Sequence, residues 1–250
     1  MDSLTIAAAS GLRARLESLE MLANNLANAA TAGYKSDREF YSLYAAPEAL
    51  ESNLLGFSAA PPMLPVIQSQ WTDFNQGTLE PTGNPLDLAL SGQGFFVVDG
   101  PRGPLYTRNG GFRMSAAGLL TTAEGYAVRS TRGTPIQAEP GSPVEISTDG
   151  VIRQAGQALG QVAVVSFARL TSVGKLGKNY FRVVDPEAVP QAAAGVEIHQ
   201  GRLEASNVGA PESAIRLISI MRQFEMLQKA VLLGSEMGRR AIEEVARASP

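Results

Sequence analysis

The sequence predicts an α+β protein in which long helices at both chain ends pair like a coiled coil and a central domain is all-β and antiparallel. The first observation is that apolar residues recur with helical spacing over residues 3–30 and 211–248. The second is that the middle of the chain consists of short apolar or alternating runs separated by turn residues. The third is composition: of 250 residues, 44% are hydrophobic and 18% are charged, which is enough to bury a sizeable core.

The first helix is predicted over residues 3 to about 30. Its apolar or small residues alternate in steps of four and three, which is the spacing of a helix that packs along another helix. Gly33 suits the left-handed conformation that closes a helix. The residues of this seam are Thr5, Ala9, Leu12, Leu16, Leu19, Ala23 and Leu26.

The second helix is predicted from Pro211, a favourable first helical residue, through Ala248. Its opposite face carries charged pairs such as Glu225 with Lys229, each worth roughly 0.2–0.5 kcal/mol. Because long isolated helices are marginal in water, both apolar stripes must pack on each other or on neighbouring molecules. The second stripe consists of Leu217, Ile220, Met221, Phe224, Leu227 and Val231.

The middle of the chain predicts a compact β domain over residues 81–185. Glycine-containing pairs, among them Glu124-Gly125, separate the runs, and the Asp-Gly and Asn-Gly pairs favour the left-handed turns of tight hairpins. The predicted strands are Leu86 to Leu90, Phe95 to Val98, Gly125 to Arg129, Val144 to Ser147, Val151 to Gln154, Val162 to Ala168 and Tyr180 to Val184.

The chain thus divides into three predicted parts. Residues 1–36 and 206–250 form a discontinuous helical assembly domain that flanks the β domain. Residues 37–80 and 186–205 are connecting segments, of which the proline-rich stretch at 45–65 is expected to be irregular.

Composition argues against several function classes. The net charge of -3 gives no sign of a nucleic-acid-binding surface, and the absence of cysteine with a single histidine excludes thiolate metal sites. No run approaches the ~20 apolar residues of a spanning helix, and the first ten residues lack the basic start of a cleavable signal peptide. We expect no metal, no cofactor, no nucleic-acid partner, no membrane insertion and no small-molecule substrate.

Catalytic motifs are weak. His199 lies in an alternating, strand-like run, and no G-x-S-x-G elbow occurs anywhere. Ser172 and Lys175 match the S-x-x-K spelling of an acylating serine, but its companion S-D-N and K-T-G motifs are missing. We predict that the protein is not an enzyme, with a serine hydrolase as a minor alternative.

Three asparagines stand out in the last turns of the first helix, because asparagine is a poor helix former. For Asn24 and Asn25 we expect hydrogen bonds to a partner helix or a turn, whereas Asn28 could simply help to end the helix. Together with the stripes they define a predicted assembly interface. Its residues are Leu12, Leu16, Leu19, Leu26, Asn24, Asn25, Asn28, Leu217, Ile220, Met221, Phe224, Leu227 and Val231.

Residues 21–35, MLANNLANAATAGYK, resemble the N-terminal signature of bacterial flagellar rod and hook proteins, A-N-N-[LI]-A-N-x-x-T-x-G-[FY]-K. Residues 84–98 and 106–112, followed by the G-x-L motif at 118–120, resemble the central β segment of that family. The resemblance continues to the other end of the chain.

The C-terminal motifs of the family are matched by residues 201–208, GRLEASNV, and residues 222–225, RQFE. The resemblance implies a non-enzymatic axial protein, exported by the flagellar type III apparatus without a cleavable signal. Its implied partners are copies of itself and other rod proteins. Its implied location is the basal-body rod that crosses the periplasm, where the terminal helices polymerise helically.

Within that family the length suits the two rod types with a single β domain. The distal-rod (FlgG) type usually carries T-Q-R-A-Y-E near its C-terminus, whereas residues 221–226 read MRQFEM. This departure favours the proximal-rod (FlgF) type, with the distal type as the alternative. A different class, an extracytoplasmic β-domain adhesion or binding module, would explain residues 80–185 but not the helices.

Overall fold

The computed structural model describes residues 3–45, 63–177 and 179–248. These residues form two compact units. The first unit contains the terminal helices and the paired strands β1 (Asp37–Ala45) and β2 (Met63–Thr72), and the second comprises residues 27–36 and 72–208. Two terminal helices and a central antiparallel β region confirm the predicted α+β class.

The helices are α1 (Ser3–Ala27) and α2 (Ala210–Ala248), within three residues of their predicted bounds. After α1 the chain turns, and Gly33 adopts a φ of 68°, the left-handed conformation predicted for it. The chain therefore leaves the helix through a glycine-dependent turn.

The two helices of the first unit pack against each other. Met21 and Leu22 of α1 are buried with Ile220 of α2, and Leu19 and Leu217 lie at the edge of this cluster. Nearer the start of α1, a Cβ placed on Gly11 would lie 3.5 Å from a methyl carbon of Leu227. Because later α1 residues meet earlier α2 residues, the helices run antiparallel.

The second unit is built from short antiparallel strands. The largest sheet has the order β14-β15-β6-β5-β9-β8-β7. In the same sheet β13 pairs with β5, and β16 pairs with β13. A three-stranded sheet has the order β10-β11-β12. Strand β17 pairs with β4, and β18 pairs with β3. The strands of the whole chain are β1 (Asp37–Ala45), β2 (Met63–Thr72), β3 (Leu79–Pro81), β4 (Leu88–Ser91), β5 (Phe95–Gly100), β6 (Gly103–Thr107), β7 (Arg113–Met114), β8 (Leu120–Thr121), β9 (Ala127–Val128), β10 (Val144–Ile146), β11 (Val151–Gln154), β12 (Gln157–Gln161), β13 (Val164–Ser166), β14 (Val173–Leu176), β15 (Tyr180–Val183), β16 (Gln191–Ala192), β17 (Glu197–Gln200) and β18 (Arg202–Glu204).

Strand β5 separates two hydrophobic clusters. Phe96 and Val98 point into the larger cluster, whereas Phe95 and Val97 point into a second one with Phe181. Successive side chains of a strand alternate between its faces, so a strand covered on both sides is apolar throughout. This explains the uninterrupted apolar run that marked β5 in the sequence.

All seven predicted runs contain strands, but the predicted connectors also hold paired strands. Segments 37–45, 63–72 and 197–204 are among them. Most of the predicted irregular stretch, residues 46–62, lies outside the described residues. Of the predicted turn glycines, Gly125 and Gly150 adopt positive φ, whereas Gly100 belongs to β5 and the left-handed residue of that hairpin is Gly103.

Tyr180 gives a test of the β unit at high pH. Its hydroxyl donates a hydrogen bond to the Glu124 carboxylate, and its ring packs edge-on against Tyr126 with centroids 5.4 Å apart. Burial, then the bond to Glu124, raises the pKa of Tyr180 above its ordinary 10.0. The folded phenol keeps its proton where the unfolded phenol loses it, so this stabilisation is present below pH 10.0 and is lost as the pH rises above it.

We expect the free energy of unfolding to fall less steeply above pH 10.0 in Tyr180→Phe than in the wild type. Urea unfolding at a series of pH values measures both slopes. Equal slopes would show that the phenol of Tyr180 is not coupled to folding.

Candidate functional site

The face of α1 that is buried lies beside the predicted seam. Among its buried positions are Ala14, Ser18, Met21 and Leu22, whereas Leu16 of the predicted seam is 47% exposed. Small side chains allow another backbone to approach closely, so they line the covered face in place of the larger leucines. Of the other predicted residues, Leu12, Leu19 and Leu26 are half-buried.

The predicted stripe of α2 is covered more evenly. Ile220 is buried, and Met221 is 48% exposed. The remaining members are half-buried: Leu217, Phe224, Leu227 and Val231.

A second face of α2, which we call the second apolar face, presents large apolar residues to solvent in the single chain, among charged residues such as Lys229. With about 3.6 residues per turn, these apolar residues fall on the side of the helix opposite Ile220 and Leu227. A helix with apolar residues on two opposite sides can make contacts on both. The large exposed residues of this face are Ile215, Ile218, Met226, Leu233 and Met237.

The three asparagines have different surroundings. Asn25 is buried, and its amide donates to the backbone oxygen of Asp37 at 2.7 Å while its Oδ1 accepts from the Asp37 N–H at 2.9 Å. Asn24 is exposed, whereas Asn28 is buried and accepts a hydrogen bond from the Thr31 hydroxyl at 3.3 Å. Asn25 thus attaches the start of β1 to the end of α1.

Strand β1 also contacts α2. Arg216 donates to Oε1 of Glu39 at 2.8 Å, with the Glu39 side chain almost fully buried and Arg216 about half exposed. The first unit is therefore held by an apolar helix contact and by polar contacts of β1 with both helices.

The second unit contains a polar cluster that we call the polar clasp, formed by the buried Lys35, Arg108 and Glu204 and the half-buried Asn207. Lys35 Nζ lies 2.6 Å from Glu204 Oε1, and Arg108 Nε lies 2.8 Å from Glu204 Oε2. The side chains of Lys35 and Glu204 are fully buried. One carboxylate therefore pairs with two buried cations, and a buried charge needs such pairing and hydrogen bonding.

The remaining donors and acceptors of the ion cluster are satisfied by the backbone. Lys35 also donates to the Asn75 carbonyl at 2.6 Å, and Glu204 Oε1 also accepts from the Gly77 N–H at 2.9 Å. Arg108 donates to the carbonyls of Gly92 and Gly94. Burial lowers the pKa of Lys35, while the Glu204 carboxylate opposes that shift.

Asn207 joins three segments of the chain in the same region. Its Oδ1 accepts from the Ser36 N–H at 2.7 Å, and its amide donates to the carbonyls of Asp73 at 2.7 Å and Asn75 at 3.1 Å. The Asp73 N–H in turn donates to the Ser36 carbonyl at 2.8 Å. Segments that are far apart in the sequence therefore meet at a single amide side chain.

Two further contacts hold the segment 28–36. The Gly33 N–H donates to the Glu204 carbonyl at 2.7 Å. Lys175 lies with its ammonium 4.2 Å from the ring centre of Tyr34 and donates to the Lys35 carbonyl at 2.7 Å. A cation over an aromatic face is attractive, so Lys175 stabilises both residues.

Sequence reasoning assigned no role to the clasp residues. All four lie in segments whose sequences carry the family resemblance, at residues 21–35, 106–112 and 201–208. The signal that could have identified these residues was their place in those motifs. Their meeting in space could not be read from the spacing along the chain.

The residues considered for catalysis have other contacts. The Ser172 hydroxyl donates to the Arg169 carbonyl at 2.5 Å. The Lys175 ammonium contacts the Tyr34 ring and the Lys35 carbonyl. His199 lies in β17, with Nε2 3.8 Å from Glu197. These contacts do not fit a nucleophile with its base.

Within the described parts of the chain, no group of three or more His, Cys, Asp or Glu could hold a metal ion. No helix among those same residues combines the length and apolar character needed to cross a membrane. The described features of the chain are packing surfaces and a buried polar cluster.

Three family models match successive parts of the chain. The flagella basal body rod protein model matches residues 7–35, and the flagellar hook protein FlgE/F/G D1 domain model matches residues 89–154. The flagellar basal body rod FlgEFG protein C-terminal model matches residues 199–244. The order agrees with that of the motifs quoted above.

Curated relatives are similar over nearly the whole chain. The flagellar basal-body rod protein FlgF of Caulobacter vibrioides is 33% identical over 92% of this chain and 92% of its own. FlgG of Agrobacterium fabrum is 33% identical over 95% of this chain and 97% of its own. FlgF of Mesorhizobium japonicum is 31% identical over 90% of this chain and 89% of its own. The chain belongs to the family of flagellar basal-body rod proteins. It is a structural rod protein and not an enzyme.

Proposed function

We propose that this chain is a proximal-rod subunit of the FlgF type, exported by the flagellar type III apparatus and polymerised through α1 and α2 in the rod that crosses the periplasm. The observation that supports assembly is the exposed apolar face of α2. The proposed partners of the chain are copies of itself and other rod proteins.

The physical argument starts from the cost of leaving large apolar side chains in water. Burying one fully contributes about 1.5–3 kcal/mol, so five such residues on one helix face favour a contact with a neighbouring subunit. The exposed Leu16 and Met221 belong to this proposed interface, while Leu19, Leu217 and Ile220 hold the helix pair together. Because the face that meets α1 differs from the exposed one, the contact can repeat from subunit to subunit without closing.

Leu233→Asp tests the proposed interface. We expect the variant to fold with wild-type helical content but to be missing from isolated basal bodies, because its carboxylate would be buried unpaired at the contact. Complementation of a strain that lacks its own copy of the gene, scored by swimming and by immunodetection in basal bodies, measures the loss.

Gln228→Asp is the matched control, since it introduces the same charge at an exposed position of the same helix outside the second apolar face. A strain that carries Gln228→Asp should swim normally. Normal swimming and incorporation of Leu233→Asp would refute assembly through this face.

The choice of rod type is supported by the C-terminal motif. Residues 221–226, MRQFEM, depart from the T-Q-R-A-Y-E that is usual in the distal type. Cross-complementation tests it: the gene should restore swimming to a strain lacking FlgF and fail in a strain lacking FlgG. The opposite pattern would assign the chain to the distal rod.

A further inference from the structure

We propose that the polar clasp is a folding-order latch, through which the N-terminal segment 28–36 docks only after residues 204–207 have arrived. The mechanism is a property of the fold, and its use when the chain folds after export rests on the proposed function.

The contacts of segment 28–36 carry the proposal. The Gly33 N–H, the Lys35 ammonium and the Ser36 N–H each donate to a residue between 204 and 207. Lys35 and Glu204 are 169 positions apart in the sequence. Until the C-terminal segment is in place, docking would bury three donors without these partners.

Charge strengthens this dependence. Lys35 and Arg108 are both buried, and Glu204 contacts both of them. Docking Lys35 beside Arg108 before Glu204 arrives would place two cations together in a site with little access to water, which is strongly unfavourable. Asp73 is also buried and attracts Lys35, but its attraction is weaker than that of Glu204.

The large sheet does not share this dependence. Strand β5 pairs with β6 through Val97 and Tyr106, and with β9 through Val98 and Val128. These contacts span short stretches of chain, and local contacts form before distant ones because they close smaller loops. This part of the sheet can therefore form first. Strand β18, which pairs with β3, then brings Glu204 into place.

Pulsed hydrogen exchange during refolding of the full chain tests the order. In the wild type we expect amides of residues 33–36 to gain protection together with those of 203–207, after those of β5 and β6. Protection of 33–36 together with β5 and β6, before 203–207, would overturn the proposal.

The Glu204→Gln variant supplies the second arm. In its native state we expect residues 33–36 to exchange about 100-fold faster than in the wild type, and by a larger factor than β5 and β6. Asp185→Asn is the matched carboxylate-to-amide control, because the Asp185–Arg169 ion pair is largely exposed. Unchanged exchange at 33–36 in Glu204→Gln would contradict the latch.

If Glu204→Gln does not fold, Asn207→Ala takes its place, since it leaves all the buried charges paired and removes the acceptor of the Ser36 N–H. It should accelerate exchange at Gly33, whose own acceptor on Glu204 is kept, and an unchanged rate at Gly33 would again overturn the proposal. These measurements need only the purified chain. They can fail while the rod assignment holds, and the complementation tests can fail while the latch holds.

Discussion

Replacing Gly33 by alanine is expected to destabilise the second unit by more than about 4 kcal/mol, well beyond the cost of its backbone conformation alone. An alanine in the left-handed region costs about 1 kcal/mol relative to glycine. At Gly33 a Cβ would also lie 2.3 Å from the Asn109 nitrogen and 2.4 Å from the Arg108 carbonyl carbon. These are backbone atoms, so side-chain rotation cannot relieve the clash. Urea unfolding monitored by circular dichroism measures the loss.

Gly195 is the matched control, because its φ of 69° is almost the same as the 68° of Gly33 and no atom of the described residues lies within 4 Å of a Cβ placed on it. Gly195→Ala should therefore cost only about 1 kcal/mol. Equal losses in the two variants would show that Gly33 is required for its φ alone and not for the close approach to residues 108 and 109.

The buried ion pair of the clasp gives the second large effect. Lys35→Met and Glu204→Gln should each destabilise the protein by about 3–5 kcal/mol, because each leaves a buried group without its charged partner. The double variant should be more stable than the sum of the single effects predicts, by about 1–3 kcal/mol, because neither member of the pair is then left behind as a charge without the other. Urea unfolding of the four proteins completes the cycle.

The exposed pair Arg169–Asp185 is the control cycle, with Arg169→Met and Asp185→Asn. Its coupling energy should stay below about 1 kcal/mol, because solvent screens exposed charges. Strictly additive losses at Lys35 and Glu204 would mean that the two side chains stabilise the unit independently, and the clasp would not act as one cluster.

Much of the fold could be predicted from local pattern. The helical spacing of apolar residues gave α2 within one residue at its start, and the Phe95–Val98 run gave β5. The turn glycine Gly33 was also predictable, since the left-handed conformation needs no distant partner. These features are set by interactions between residues close in the chain, for which spacing is sufficient.

The orientation of α1 and the short strands of the predicted connectors were harder to predict. The seam chosen by leucine spacing included Leu16, which is exposed, whereas Ala14 and Ser18 are buried. Apolar size predicts that a helix has a covered face, but the partner's surface decides which side chains fit there. Strands β17 and β18 are held by β4 and β3, more than 100 positions earlier in the chain, and local pattern carries little of that information.

From the sequence alone came the family resemblance, the α+β class and the chemistry that the chain lacks, because motifs, periodicity and composition are properties of the chain itself. Only the tertiary structure decided that Lys35, Arg108, Glu204 and Asn207 meet. A buried charge is tolerated only where its counter-charge and backbone partners converge, and that convergence arises when distant segments fold onto one another.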